Sequence, residues 1–454
     1  AHDAEALLWS MQDGELGEDV RDEIDSISYQ NVMLAYARSG DLGGEIVADK
    51  VEELLMELEE KARVEEEVVT DRGDGKRSRL APNAFVYAAV MEGYGRLKAR
   101  RGGGRNRHGR RGLATNPEGE DEERNRKPDV GAERAENLLR SLQSRYESSG
   151  MVDDRVRPNG VQLNAVLNAW AESDAGPDGA RNAEGVLEWA RDDVWSKGRN
   201  DYLRPDAVAY NAVLNAWARC AEYDEGAATR AEEILRDMED AANENEGWAD
   251  DGNDGAIVVR PNVISYSSVI NAYAKRARQD PSAARRAEEI LTELEDGYLN
   301  RFNGGGDAPA IKPNVRTYTS VIDAHANSRS STAADDAVRL LRRLVDLYDR
   351  SCRSRGGTAG GRSECDPDLR PTVQTYSATL AALSKSDEID AAVRAESILM
   401  EMERDRRLPH PNVRCYNAVL DALAKRASDE EGAAIRAMEL LERMEFLADR
   451  RGRR

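Results

Sequence analysis

The chain has 454 residues, a formal net charge of −21 and aromatic side chains at only 5% of positions. A polyanion repels phosphate on average, so any grip on nucleic acid has to come from local charge rather than from the sum. The four cysteines (Cys220, Cys352, Cys365, Cys415) show no C-x-x-C and no paired framework, which argues against a disulfide scaffold and suits a reducing compartment; no apolar run approaches the ~18 residues a membrane-spanning helix needs.

Residues 1–11 carry an apolar stripe, Ala4, Leu7, Leu8 and Met11, at the i, i+3, i+4, i+7 spacing of one helix face. This helix matches the second member of a helical pair whose first member is missing, so the sequence reads as a fragment. From residue 26 onward one phrase recurs. It is P-D-A-V-A-Y-N-A-V-L-N-A-W-A-R at Pro205–Arg219, P-N-V-I-S-Y-S-S-V-I-N-A-Y-A-K at Pro261–Lys275, and P-N-V-R-C-Y-N-A-V-L-D-A-L-A-K at Pro411–Lys425. Aligned on its aromatic, the phrase has eight copies, anchored at Tyr29, Tyr87, Leu163, Tyr210, Tyr266, Tyr318, Tyr376 and Tyr416. The repeats run near 26–83, 84–159, 160–206, 207–262, 263–314, 315–372, 373–412 and 413–454. Their uneven length lies in the connections, where insertion costs little closure entropy.

Tyr210, Val213, Leu214 and Trp217 make a helical stripe behind Pro205. This predicts a first helix, A, in each copy. A second phrase follows it: R-A-E-E-I-L-R-D-M at Arg230–Met238, R-A-E-E-I-L-T-E-L at Arg286–Leu294, R-A-E-S-I-L-M-E-M at Arg394–Met402 and R-A-M-E-L-L-E-R-M at Arg436–Met444. Weaker forms lie at Lys50–Leu58, Arg134–Leu142 and Arg181–Trp189. These predict helix B. One helical pair cannot bury both stripes alone, whereas stacked pairs can, so the expected fold is one all-α array, an α-solenoid of antiparallel helical pairs.

Within the second copy, residues 97–130 read as a disordered insertion. Arg96, Lys98, Arg100, Arg101, Arg105, Arg107, Arg110 and Arg111 lie among glycines, and an acidic run, Glu118–Glu123, follows. Its two readings are a nonspecific RNA-binding strand and a solvated loop. Asp250–Gly255 resembles a calcium loop in composition, but twelve-residue frames from Asp250 or Asp251 end at Pro261 or Asn262 instead of glutamate. His2, His108, His325 and His410 share no metal-ligand spacing with cysteine or carboxylate, and His325 reads as a packed residue of helix A. No phosphate-binding G-x-x-x-x-G-K and no nucleophile elbow is present. The expectation is a binding protein without metal or cofactor, not an enzyme, although a catalytic domain could lie beyond Arg454.

The phrase P-[DN]-x-x-x-Y-N-x-[VL]-[IL], followed by R-A-E-x-[IL]-L-x-x-M, resembles the pentatricopeptide repeat family. The resemblance covers residue 26 to the C-terminus, although family repeats are shorter, about 35 residues. It implies a right-handed superhelix that binds single-stranded RNA, one base per repeat. It also implies a mitochondrial or chloroplast site of action in RNA processing, stability or translation, and a monomer. With Ala207 counted as the first residue of its copy, the resemblance gives base reading to the fifth residue and the last. The pairs are Gln30/Asn83, Ala88/Asn159, Asn164/Asp206, Asn211/Asn262, Ser267/Asn314, Thr319/Thr372 and Ser377/Asn412, with Asn417 unpaired. Amides and hydroxyls both donate and accept, as edge reading requires. By resemblance Asn164/Asp206 favours uracil, Asn211/Asn262 a pyrimidine, and the Ser/Asn pairs adenine.

The second residue, which sandwiches the base in the family, is Ile27, Phe85, Val161, Val208, Ile264, Arg316, Gln374 or Arg414. The thirteenth is Arg38, Arg96, Glu172, Arg219, Lys275, Asn327, Lys385 or Lys425; the cations read either as phosphate contacts or as partners of the helix dipole. Acidic residues gather on helix B (Glu232, Glu233, Asp237, Glu239, Asp240), which leaves a neutral or mildly basic groove along helix A as the expectation. The competing reading is a protein-binding scaffold that recruits partners through this acidic outer face.

Overall fold

A computed structural model describes residues 1–13, 24–39, 42–72, 78–96, 130–244, 259–302, 311–354, 365–405, 407–427 and 432–452. Among them there is no strand. The chain forms two compact units. The first, Ala1–Cys220, contains α1 (His2–Gln12), α2 (Ser26–Arg38), α3 (Gly44–Arg72), α4 (Ala84–Tyr94), α5 (Val130–Ser148), α6 (Gly160–Glu172), α7 (Pro177–Glu188) and α8 (Ala207–Cys220). The second, Ala221–Arg454, contains α9 (Ala227–Glu244), α10 (Val263–Arg276), α11 (Ser282–Phe302), α12 (Val315–Ser328), α13 (Ala333–Ser354), α14 (Val373–Lys385), α15 (Ala391–Arg404), α16 (Val413–Arg426) and α17 (Ala433–Gly452).

Even-numbered helices are A and odd-numbered ones are B. Inside each unit the A helices stack on one another, α2 on α4 on α6 on α8 and α10 on α12 on α14 on α16. A B helix such as α5 or α13 packs against the A helix before it and the one after it. This is the two-layer solenoid arrangement that the sequence predicts, with the apolar stripe inside: Val213 and Leu214 are fully buried and Trp217 nearly so.

The boundary between the two units falls between α8 and α9, inside the fourth repeat. Several expectations are corrected. Leu7 is exposed although it lies on the predicted stripe; α1 packs mainly on α2, and Leu8 is buried. Val130, placed in the insertion from sequence, is the first residue of α5. Helix B of the sixth copy, α13, escapes the R-A-E phrase because Asp336 stands in the arginine position. The cysteines are partly paired: Cys352 at the end of α13 and Cys365 before the 3-10 turn Pro367–Leu369 form a disulfide, with Cα atoms 4.2 Å apart. Cys220 and Cys415 are free and buried. The arginine-glycine run beyond Arg96, the acidic run after it and Asp250–Gly255 lie outside the described residues.

What fixes helix A against the preceding helix B is a set of buried polar rungs. Where the eleventh residue of the next helix A carries a donor, the glutamate of the R-A-E phrase accepts a hydrogen bond from it; after Glu396 that residue is Leu423, and Arg436 reaches the carboxylate at 3.5 Å instead. Trp170 Nε1 donates to Glu136 at 2.9 Å and Trp217 Nε1 to Glu184 at 3.0 Å. Tyr36 donates to Glu5 and Tyr273 to Glu232, and His325 Nε2 lies 2.9 Å from Glu288; burial and the carboxylate of Glu52 raise the pKa of Tyr94. A second rung lies seven residues, or two turns, along each helix and joins the fourth residue of helix A. Tyr87 donates to Glu59 at 2.9 Å and Tyr416 to Glu403 at 2.7 Å; Tyr266 donates to Glu239 and Tyr318 to Glu295. Burial and the facing carboxylates raise the phenol pKa values of Tyr36, to about 12, and of Tyr87 and Tyr273.

Cations from the following helix B complete the upper rung. Lys50 reaches Glu5 at 3.2 Å, Arg134 reaches Glu52 at 3.3 Å and Arg286 reaches Glu232 at 2.7 Å. In the sixth copy Asp336 takes the cation's place and Arg339, one turn on, supplies the contact to Glu288 at 2.6 Å. Between α13 and α14 the rung is apolar: Val338 replaces the glutamate and Leu383 the aromatic donor, and both are buried. A buried carboxylate with no donor is costly, so where Leu423 alone is apolar, Glu396 keeps a cation, Arg436, at 3.5 Å.

Two predictions follow from the rungs. Glu136→Val alone leaves the Trp170 N–H buried without an acceptor and costs about 1–3 kcal/mol. Combined with Trp170→Leu it imitates the Val338–Leu383 rung, so a double-mutant cycle in urea should show the pair costing less than the sum of its parts. The second concerns pH. Burial raises the Glu288 pKa, but hydrogen bonds from His325 and Arg339 outweigh it and bring the value from 4.5 to about 2. Because the folded value lies below the unfolded one, the contribution is complete above pH 4.5 and disappears as pH falls towards 2. It amounts to about 3 kcal/mol. Urea titrations across that window should fall less steeply for Glu288→Gln than for the parent protein.

Candidate nucleic-acid interface

The rungs turn positions 4, 7, 8 and 11 of helix A inward, so positions 2, 5, 9 and 13 share the opposite face. The second-residue column is exposed throughout: Ile27, Phe85, Val161 and Val208 in the first unit, and Ile264, Arg316, Gln374 and Arg414 in the second. Phe85 is 55% exposed and Val161 47%. The first turn of helix A thus presents large apolar side chains to solvent.

The fifth residues are less uniform. Gln30, Asn164 and Asn211 in the first unit and Ser267 and Ser377 in the second are half-buried, and Asn417 is exposed. Ala88 and Thr319 are buried. Asn164 lines a groove of the first unit, and its Oδ1 is buried with no hydrogen-bond partner among the described residues. Ser267 Oγ donates to the Val263 carbonyl at 2.6 Å, and Ser377 Oγ to that of Gln374 at 3.0 Å. The Thr319 hydroxyl is committed, bonding the Val315 carbonyl and Thr375 Oγ1 at 2.7 and 2.8 Å.

The last residue of each repeat proves to be the N-cap of the next helix A. Asn83 Oδ1 accepts from the N–H groups of Phe85 and Val86, Asn159 from Val161 and Gln162, Asn262 from Ile264 and Ser265, and Asn314 from Arg316 and Thr317. Asp206 caps through Ala209 N at 2.9 Å, Thr372 through Thr375 N and Asn412 through Cys415 N. Side-chain oxygens commonly cap helices in this way. The cap takes the oxygen of an asparagine, so its NH2 is the group a base edge can meet; Asp206 offers its second carboxylate oxygen. The fifth and last residues of one repeat do come together: Thr319 and Thr372 both bond Thr375 Oγ1, at 2.8 and 3.1 Å.

The thirteenth-residue cations act on the protein itself. Arg96 donates to the Ser39 carbonyl at 2.9 Å, Lys385 to that of Ala326 at 2.8 Å, and Lys425 to that of Ser384. Each reaches the C-terminal end of the preceding helix A, where carbonyls lack intrahelical donors. Arg38 Nε bonds Glu92 at 3.2 Å. Burial, with Arg278 adding to it, holds Lys385 below the usual lysine range. Arg96, Lys385 and Lys425 thus form a staple between neighbouring helices. Arg219 is exposed, and Lys275 is half-buried at the end of α10.

Sequence reasoning missed the ninth column: Leu34, Glu92, Asn168 and Asn215 in the first unit, and Asn271, Asp323, Ala381 and Asp421 in the second. The recurring N-A-W and N-A-Y phrases were the available signal. Burial raises the Asp323 pKa, and Lys385 works against that rise.

In the first unit the columns converge on one groove of about 750 Å3. It is lined by Gln30, Ala88 and Asn164 from the fifth column, Phe85 and Val161 from the second, and Leu34, Glu92 and Asn168 from the ninth. Its charges are Arg38 and Arg96 against Glu92 and Glu172, so it is neutral overall. Among the described residues no group of three or more histidine, cysteine or carboxylate side chains is placed to hold a metal, and no helix is long and apolar enough to cross a membrane.

No protein-family model matches the chain, and no curated protein matches it. Among solved structures it is similar to the crystal structure of the pentatricopeptide repeat protein PPR10 from maize, at 18% identity and a TM-score of 0.26. The match covers 99% of this chain and 66% of that one. The reading of the site rests on the chain's own side chains.

If the staple is the main work of these cations, Lys385→Met should cost about 1 kcal/mol of stability. Arg219→Met, at an exposed position, should stay within about 0.5 kcal/mol. Thermal or urea unfolding of the two variants checks the contrast.

Proposed function

We propose that the chain binds single-stranded RNA along the helix A faces, one nucleotide per repeat, with sequence preference. By its family resemblance we place it among binding proteins of mitochondrial or chloroplast RNA processing, stability or translation, not among enzymes. The observation that carries the reading is the exposed apolar second column beside a polar fifth column. Burying Ile27, Phe85, Val161 and Val208 would be the cheaper arrangement for a freestanding helix face. Flat apolar or guanidinium surfaces are what unstacked bases rest on. The fifth residue stands one turn further along the helix, where an amide or hydroxyl can meet a base edge.

The neutral groove and the stapled cations give this binding a particular character. Affinity should come from stacking and edge contacts more than from phosphate charge, so its salt dependence should be shallow. A plot of log affinity against log salt should slope at about −2 or less steeply, equivalent to about three phosphates on a single strand.

Selection of bound sequences from a random single-stranded RNA pool tests the reading. Asn164→Ala should relax the preference at one position, and Val161→Asp should weaken binding about tenfold through lost stacking, with unfolding curves unchanged. No enrichment from the pool, or enrichment that both substitutions leave intact, would remove the assignment.

A further inference from the structure

In the third repeat the chain between helices B and A is folded, and it carries an aromatic ring that neither the core nor the base-reading columns use. After α7 the helix widens into a π-helical segment, Trp189–Trp195, followed by a 3-10 turn, Asp201–Leu203. This turn packs against α6, whose cap is Asn159 and whose exposed second residue is Val161. Buried Asn200 pins it there: its Nδ2 donates to Gln143 Oε1 and to the Pro158 carbonyl, both at 3.0 Å, and its Oδ1 accepts from Tyr202 N at 3.0 Å. Leu203 is fully buried on the other side. Between two anchored neighbours, Tyr202 is directed outward and is 59% exposed.

One face of the Tyr202 ring is covered. The Arg157 guanidinium lies over it, 3.7 Å from the centroid, and is itself held by Asp154 at 2.9 Å. Arg157 is two residues before the Asn159 cap. Arg204 over Trp195 and Arg140 over Trp189, each 4.5 Å from its ring, brace the same segment. A tyrosine used only for packing would be buried like its counterparts on helix A. This one is held rigid, backed by a cation and open on its second face, beside the first turn of a helix A. A ring fixed in this way loses little freedom on binding, and a guanidinium behind it adds to the stack.

We propose that Tyr202 is a stacking platform for one additional nucleobase of the bound RNA, next to the nucleotide taken by the Asn164/Asp206 repeat. The inference rests on the RNA-binding reading and deepens it. Stacking does not depend on which base is present, because every base has a π-face. The third repeat therefore holds two nucleotides, one read at its edge and one only stacked, and the footprint exceeds the number of reading pairs by one.

The test uses the full chain and the RNA selected from the random pool, with one abasic nucleotide moved along it. The proposal expects one position at which base identity is immaterial but base removal weakens binding about tenfold. Tyr202→Ala should bring the same loss with intact RNA and abolish the effect of the abasic site, while Tyr202→Phe stays within about twofold. Ultraviolet crosslinking followed by peptide mapping should place the label on Tyr202. If the parent binds RNA with Asn164-dependent preference but Tyr202→Ala binds equally well, the platform is overturned and the base-reading assignment stands. If the parent binds no RNA, both are overturned.

Discussion

The constraint on which the structure depends is the buried carboxylate that cannot be left without a donor. A glutamate on helix B, inside an otherwise apolar contact, accepts from an indole, a phenol or an imidazole on the next helix A and from a cation on the next helix B. Where both rungs form, as between α9 and α10 and between α11 and α12, two contacts two turns apart fix the rotation of helix A about its axis. They fix which residues of helix A face inward and thereby which face outward. The exposed second and half-buried fifth columns result from that choice, and the proposed base-reading surface is the outer side of a rotation set at the rungs.

The same constraint accounts for part of the composition. A solenoid built on carboxylate rungs needs glutamates on helix B and cations on the following one, so a high charged fraction is structural before it is functional. The positions with the plainest signature also carry structural duties. The residue after the proline caps the next helix, and three of the thirteenth-residue cations close the ends of their neighbours. Capping takes an asparagine's oxygen and leaves its amide hydrogens, so one residue can serve both the fold and a base edge. A lysine whose ammonium is bound to a backbone carbonyl has less to offer a phosphate. The proposed RNA interface would therefore depend on stacking and polar edges more than on phosphate charge.

Much of the fold was legible. The stripe at Tyr210, Val213, Leu214 and Trp217 and the R-A-E phrase are local patterns, and local patterns determine helices and their inward faces. The rungs were not legible, because Trp217 and Glu184 are 33 positions apart and Tyr273 and Glu232 are 41 apart, with connections of unrelated length between copies. The reason tyrosine and tryptophan, not phenylalanine, fill these sites lies in those distant partners. The Cys352–Cys365 bond was hidden for a similar reason: nothing near either cysteine marks the approach of α13 to the turn before α14. At the site, the second, fifth and last columns came from the family resemblance. What each side chain already binds, such as Thr319 its own helix and Lys385 its neighbour, depends on contacts that spacing does not contain.

The central claim is that the rungs set the outward face of helix A, and thiol accessibility along one such helix tests it most directly. Single cysteines placed in α6 at 161, 163, 164, 167, 168 and 170 would be labelled in the folded protein, with and without the Glu136 rung. The account predicts fast labelling at 161 and 168, intermediate labelling at 164, and protection at 163, 167 and 170 that weakens when Glu136 is replaced by valine. Labelling at 163 or 167 as fast as at 161 in the intact protein, or a pattern indifferent to the loss of Glu136, would contradict it.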